Sequence, residues 1–150
     1  MHIWVDADAC PVAIRDILCR AAERTGRMLT LVANHHLRVP PSPLVRMLQV
    51  PGGFDEADKT IAARLQPGDL VVTADIPLAA DAVAKGAYAL SPRGERFGPE
   101  NIRELLDMRN FMDSLRGTGV DTGGPAPIGP ADLRAFASRL DALLRAAGAN

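Results

Sequence analysis

The sequence lacks any apolar run near the roughly 20 residues that a membrane-spanning helix requires. It also lacks a basic region ahead of its first apolar residues, because it begins Met1-His2-Ile3-Trp4. A secretory signal peptide is therefore not expected. Both absences favour a cytoplasmic protein that has no membrane partner.

The chain also has few cysteines and almost no net charge. The two cysteines, Cys10 and Cys19, form neither a Cys-x-x-Cys motif nor a Cys/His metal-ligand spacing. We expect both to be small buried residues in a reducing compartment. The formal net charge of -1 argues against a protein that coats nucleic acid through bulk charge, although it leaves room for a local basic patch. The oligomeric state stays open.

What the chain does contain is a repeated β-α-β rhythm that continues to Leu90. Short apolar runs alternate with longer helical stretches, which predicts a parallel sheet with helices on both faces. The runs are uniformly apolar, as expected for strands that are covered on both sides. We predict strands at 3–5, 28–33, 44–50, 70–73 and 87–90, and helices at 11–24, 55–65 and 78–85. The predicted fold class is α/β, with three layers and a central, mostly parallel five-stranded sheet.

After Leu90 the pattern changes to two helices, at 99–115 and 131–146. A connector rich in glycine and proline, residues 117–130, joins them and is compatible with a flexible linker or with a fixed loop near a site. Because 150 residues suit one domain, we expect a single α/β domain over residues 1–150 with a C-terminal helical extension from about residue 99 to residue 147.

Aspartates follow two of the predicted strands at the point where each strand ends. Asp6 and Asp8 follow the first strand, and Asp75 follows the fourth. Ligands of parallel sheets bind at the carboxyl ends of the strands, and strand propensity does not favour aspartate. Clustered carboxylates repel each other unless a cation offsets the repulsion, and Mg²⁺ or Mn²⁺ prefers such oxygen ligands. The sequence therefore predicts a metal site at this edge.

Helix capping is the simpler explanation for each of these residues alone. Asp8 lies shortly before the helix that starts at Pro11, and Asp75 lies shortly before Pro77. Capping explains the whole group less well, because two strands would have to place acids on one edge by accident.

The helix before the fourth strand adds three further acids. Asp55 and Glu56 are explained more simply by the positive end of the helix dipole. Asp58 lies one turn beyond Asp55, so the two side chains can share a face.

Arginine supplies most of the positive charge and is suited to phosphate oxygens. The candidates for phosphate contacts are Arg38, Arg46, Arg93, Arg96, Arg103 and Arg109. Of these we assign Arg38, Arg93 and Arg96 to the substrate, the last two because they directly follow the fifth strand. His35 and His36 follow the second strand and point in opposite directions in an extended chain, so at most one can serve the site. Surface loop residues are the simpler interpretation for both.

The motifs of the chain resemble those of the YaiI/YqxD family, an uncharacterised family of small bacterial proteins. The matching stretches are Ile3-Trp4-Val5-Asp6-Ala7-Asp8-Ala9-Cys10-Pro11, Val32-Ala33-Asn34, Leu37-Arg38-Val39-Pro40, Gly53-Phe54-Asp55-Glu56-Ala57-Asp58, Gly68-Asp69-Leu70-Val71-Val72-Thr73-Ala74-Asp75-Ile76-Pro77-Leu78-Ala79, Pro92-Arg93-Gly94-Glu95-Arg96 and Thr122-Gly123-Gly124-Pro125.

That family in turn looks similar to the PIN-like nuclease fold, in which acids at the carboxyl edge of a parallel sheet bind Mg²⁺ or Mn²⁺ for phosphodiester cleavage. The resemblance implies catalytic and metal-binding roles for Asp6 with Asp8 beside it, for Asp58 and for Asp75, and it leaves Asp81 as a possible further acid. It also implies RNA or DNA as the partner.

Three functions remain open. The first is a divalent-metal-dependent nuclease or phosphodiesterase. The second is a haloacid-dehalogenase-type phosphatase, in which Asp6 is a covalent nucleophile and Asp8 a general acid and base, although the expected lysine is not clearly placed. The third is a non-catalytic protein that binds metal or nucleic acid.

Overall fold

The computed structural model describes residues 1–53, 55–117, 119 and 126–148. Its core is one six-stranded sheet in the order β3-β2-β1-β4-β5-β6, in which the first five strands are parallel and β6 is antiparallel to β5. The strands are β1 Ile3–Asp6, β2 Leu29–Ala33, β3 Val45–Gln49, β4 Leu70–Val72, β5 Tyr88–Leu90 and β6 Arg96–Phe97. The helices are α1 Val12–Thr25, α2 Glu56–Arg64, α3 Ile76–Ala84, α4 Ile102–Gly117 and α5 Pro130–Gly148, and a short 3₁₀ turn spans Ala7–Ala9.

The sheet is covered on both faces, because successive side chains of a strand point to opposite sides. Ile3 and Val5 of β1 belong to the apolar cluster under α1 and α5. Trp4 belongs to the second cluster, which contains residues of α2 and α3. Helices therefore form a layer on each side of the sheet, and the predicted α/β class with a central, mostly parallel sheet is confirmed.

The edges of the sheet differ from the sequence prediction. The sixth strand, β6, was not predicted, because two residues are too short to show a hydrophobic period. The uniform apolar pattern also fails at β3, where Arg46 and Gln49 are exposed. As an edge strand β3 has a neighbour on one side only, and exposed polar side chains there discourage pairing with another chain.

The predicted α1 is confirmed with a start at Val12, because Pro11 serves as its N-cap and remains extended. The helix stops at Gly26, whose φ of 71° is left-handed and whose N–H donates to the carbonyl of Ala22. Cys10 precedes the helix, and both cysteines are buried free thiols as expected.

The last helix, α5, belongs to the core that α1 and the sheet share. Phe136 is fully buried, and Leu140, Leu143 and Leu144 continue the same face at helical spacing. Gly94 makes this packing possible from the other side, because its φ is 88° and a Cβ there would lie 2.7 Å from the carbonyl carbon of Ala135. The turn between β5 and β6 thus touches the backbone of α5 directly.

Part of the predicted chain organisation lies outside the described residues. Most of the connector between α4 and α5 lies outside them, and so does the Thr122-Gly123-Gly124-Pro125 motif. Within the described chain, no helix combines the length and the apolar character that crossing a bilayer would require.

Candidate metal centre

The order of the strands reverses between β1 and β4, and this reversal creates a crevice at their carboxyl ends. Asp6, the last residue of β1, lies in this crevice with 9% of its surface exposed. Its Oδ2 accepts a 3.0 Å hydrogen bond from the hydroxyl of Thr73, which follows β4. The same hydroxyl oxygen accepts from the backbone N–H of Asp75 at 3.0 Å. Thr73 therefore connects the two acids that the sequence placed on this edge.

Asp75 combines a structural contact with its place at the edge. It is the N-cap of α3, and its Oδ1 accepts a 2.9 Å hydrogen bond from the N–H of Leu78. The capping interpretation of the sequence is thus confirmed for this residue. A carboxylate offers about four lone-pair sites, so one hydrogen bond leaves capacity for a second partner.

The third chain segment at the crevice is the start of α2. Asp55 is the N-cap of this helix, but its side chain accepts no capping hydrogen bond from the backbone. Its φ of 65° is left-handed, a conformation that aspartate tolerates better than most residues. Asp58 lies in the first turn of the helix. Carboxylate oxygens of Asp55, Asp58 and Asp75 lie within 4.8 Å of one another.

The electrostatics of this cluster match its geometry. Partial burial and the proximity of Asp75, followed by the charges of Asp6 and Asp55, raise the pKa of Asp58 from 3.8 to about 8. Burial also raises the pKa of Asp6; the hydrogen bond from Thr73 lowers it, and the charges of Asp75 and Asp8 raise it further. Both shifts have the direction expected when carboxylates gather without a compensating cation.

Asp8 follows the same strand but has different partners. It is exposed, its Oδ2 accepts from the backbone N–H of Asn34 at 2.9 Å, and its Oδ1 lies 3.0 Å from Nδ1 of His35. The charge of Asp8 reaches Asp6, although Asp8 lies outside the group of three converging carboxylates. Its metal-binding role stays a prediction. His35 is an exposed loop residue, as the simpler interpretation expected, and it joins this edge through Asp8.

The three predicted arginines lie in different environments. Arg93 pairs with Asp132 at 3.0 Å and donates to the carbonyl of Ala126. The guanidinium of Arg96 lies 5.6 Å from the ring centre of Tyr88. Arg38 is exposed and forms no ion pair within the described residues. Substrate contact stays a prediction for all three, and for Arg93 it would require exchange of the bond to Asp132.

A cavity of about 450 Å³ opens beside the three carboxylates. Besides the acids, Lys59 of α2 and Arg109 of α4 line it, and Asp81 is also present. Arg109 lies 3.4 Å from Asp113, so its charge is partly balanced within α4. The cavity thus places cationic side chains from two helices next to the acid cluster.

Sequence reasoning missed Asp55, which it assigned to the helix dipole, and it left Lys59 out of the site. It named Arg109 only as one of six arginines suited to phosphate contacts. The three-residue spacing of Asp55 and Asp58 was the available signal. It was not decisive because the left-handed backbone at Asp55 cannot be read from the sequence.

The fold and this edge together define a class: an α/β protein whose switch point between β1 and β4 carries converging carboxylates. The loop after β1 is Ala7-Asp8-Ala9-Cys10, which lacks the glycines of a dinucleotide-binding turn. Residues 4–146 match the family described as "Uncharacterized BCR, YaiI/YqxD family", and the chain belongs to this family.

Relatives cover nearly all of the chain. A UPF0178 protein of Bordetella avium is 65% identical over 144 residues, which are 96% of this chain and 94% of the relative. UPF0178 proteins of Halorhodospira halophila and Syntrophotalea carbinolica are 62% and 58% identical, each over 96% of this chain and over 95% and 97% of the relative. No solved structure matches the chain.

Proposed function

We propose that the protein is a divalent-metal-dependent nuclease or phosphodiesterase that acts on RNA or DNA. The observation that carries the proposal is the convergence of Asp55, Asp58 and Asp75, which bring carboxylate oxygens within 4.8 Å of one another from two chain segments. Asp6, from a third segment, is linked to Asp75 through Thr73. The PIN-like resemblance implied by the sequence supports the same chemistry.

The donor set fits a hard cation. Mg²⁺ and Mn²⁺ prefer oxygen ligands, and every candidate ligand here is a carboxylate. Burial first and neighbouring carboxylates second raise the pKa values of Asp58 and Asp6. These shifts support the fit, because a bound cation would favour the charged form of both groups. Asp55, Asp58 and Asp75 would hold the ion, with Asp6 adjacent. Once bound, it would supply activation of water and stabilisation of charge on a phosphoryl group.

The protein's own side chains would hold the rest of the substrate. Lys59 and Arg109 line the same cavity as the acids and are suited to phosphate oxygens that do not contact the metal. This arrangement suits a phosphodiester held by local contacts, as expected for a chain with a net charge of -1. A cytoplasmic location is part of the proposal, because both cysteines are free thiols.

Calorimetric titration with Mn²⁺ tests the metal site, and cleavage of labelled single-stranded RNA and DNA tests the activity. We expect Asp75→Asn and Asp58→Asn to lose Mn²⁺ binding and cleavage together. Asp16→Asn is the matched control, because it removes an exposed carboxylate of α1 that lies in neither the cluster nor its cavity. Unchanged Mn²⁺ binding in Asp75→Asn would rule out the proposed site.

The two alternatives from the sequence become outcomes of the same experiments. Mn²⁺ binding without turnover on any phosphodiester would favour a non-catalytic protein. The phosphatase alternative requires an accessible nucleophile, whereas Asp6 is buried and accepts a hydrogen bond from the hydroxyl of Thr73. A phosphorylated Asp6 trapped after incubation with a phosphate monoester would nevertheless favour that alternative.

A further inference from the structure

A second cavity, of about 350 Å³, lies at the same edge of the sheet. Its lining is mainly apolar and comes from the loops after β1, β4 and β5 and from the segment before α5. Pro11, Ile76, Pro92, Phe97 and Ile128 are among the lining residues. Its volume lies in the range of small-molecule sites, which are typically about 300–1,000 Å³ and mostly apolar.

The position of this cavity relative to the acids is set by one short segment. Asp75 lines the acidic cavity, whereas its neighbours Ala74 and Ile76 line the apolar one. The two cavities therefore share the short segment that connects β4 to α3 as part of their linings. Consecutive Cα atoms are about 3.8 Å apart, so neighbouring residues of this segment bring the two linings close together. The side chain of Ala74 is small and exposed, so it leaves room for a ligand that reaches from one cavity to the other.

The outer wall of the apolar cavity is fixed before any ligand arrives. The hydroxyl oxygen of Ser91 accepts the N–H groups of Arg93 and Glu95 at 3.2 and 3.1 Å. The guanidinium of Arg93 is held by Asp132 of α5 at 3.0 Å. A preformed cavity spares a ligand the entropy loss of ordering its site.

We propose that this apolar cavity binds the nucleobase next to the phosphate that the acidic cavity would hold. The inference rests on the proposed function, because it takes a phosphate at the acid cluster as its anchor. A nucleotide joins a charged phosphate to a flat, largely apolar ring through a sugar. The two adjacent cavities match this arrangement, because one is lined by charged side chains and the other is mainly apolar. Ala74 would lie at the position of the sugar. Aromatic rings stack on bases with little sequence preference, and the lining includes one such ring, Phe97, so the site would favour nucleotides as a class.

The test compares adenosine 5′-monophosphate with ribose 5-phosphate, which carries the same phosphate without a base. Both are titrated calorimetrically into the intact protein saturated with Mn²⁺. We expect the nucleotide to bind at least about 10-fold more tightly, because only it fills an apolar site. In methyl NMR spectra of the Mg²⁺-saturated protein, Ile76 and Ile128 should shift with the nucleotide and stay unchanged with ribose 5-phosphate. Mg²⁺ replaces Mn²⁺ in this measurement because Mn²⁺ is paramagnetic and broadens nearby methyl signals.

Two variants fill the cavity from opposite walls without changing an acid. Ala9→Leu acts from the loop after β1, and Ile128→Trp acts from the segment before α5. Each should remove the advantage of the nucleotide while affinity for ribose 5-phosphate stays the same. Ala63→Leu is the matched control, because Ala63 is exposed on α2 and lines neither cavity.

Equal affinity for the two ligands, or a nucleotide advantage that survives both filling variants, would overturn the inference. Failure of the proposed function has a different signature. In that case Mn²⁺ does not bind, or Asp75→Asn leaves its binding unchanged, whatever the two phosphates do. Mn²⁺ binding without base discrimination would leave the metal site standing and remove the base site alone.

Discussion

Replacing Asp58 with asparagine should stabilise the metal-free protein, although it removes a proposed metal ligand. The pKa of this carboxyl is raised from 3.8 to about 8 by partial burial and by neighbouring acids. Between these two values the unfolded chain has lost the Asp58 proton and the folded chain still binds it. Stability therefore falls as pH rises through this window. Asparagine removes that pH dependence. The variant should therefore be no more stable than the wild type near pH 4, and its gain in stability should be largest above pH 8.

The distances in the cluster set the size of the gain. At 4.8 Å two unit charges repel by about 1 kcal/mol in the dielectric of water and by about 3 kcal/mol at an effective dielectric constant of 20. Asp58 is only partly buried, so solvent screening favours the lower figure. Removing its repulsion with Asp55 and Asp75 should contribute about 2 kcal/mol. For a chain of this size that corresponds to a rise in Tm of roughly 4–8 °C.

Thermal unfolding in a chelator, at several pH values between 4 and 9, measures this difference. Asp16→Asn is again the control for loss of an exposed carboxylate. A gain that is equal at pH 4 and pH 9, or a variant less stable than the wild type at pH 8, would refute the reasoning. Saturating Mn²⁺ should reverse the order, because an ion at 100 times its Kd stabilises the wild type by about 2.7 kcal/mol and the variant gains little.

Two further predictions concern residues that hold the site in place. Thr73→Val removes the hydroxyl that joins Asp6 and Asp75, so it should weaken Mn²⁺ binding about 10- to 100-fold, whereas Thr73→Ser should retain the binding. Equal Mn²⁺ affinity of the valine and serine variants in calorimetry would contradict this prediction. Gly94→Ala places a Cβ 2.7 Å from the backbone of Ala135 and forces the alanine into a left-handed φ. The variant should therefore be less stable by more than about 1 kcal/mol in urea unfolding. An unchanged unfolding midpoint would exclude that contact.

The sheet could be predicted because most of its strands are buried and short, and because helices of clear period follow β1, β3 and β4. The run from Ile3 to Val5 and the amphipathic α1 carry signals that depend only on local sequence. β6 carries no such signal, since its two residues pair with β5 through a turn that Gly94 allows. The exposed Arg46 and Gln49 of β3 follow from its edge position, which the sequence alone does not reveal.

The candidate site was predictable in part for the same reason. Asp6 and Asp75 could be placed on one edge because topology brings the carboxyl ends of parallel strands together. Asp55 was missed because its approach depends on a left-handed backbone angle. The engagement of Arg93 was missed because its partner, Asp132, lies 39 residues away on a helix whose packing the local sequence does not specify.

The hydrogen bond from Leu78 to Asp75 bears on how mutational scans of this edge would be interpreted. Alanine at this position removes a charge and also the cap of α3, so a loss of activity would mix an altered helix end with an altered ion site. Asparagine keeps a side-chain oxygen that caps well and removes the charge alone. The difference in activity between the asparagine and alanine variants would therefore measure how far the start of α3, rather than the charge of Asp75, keeps the other acids in position.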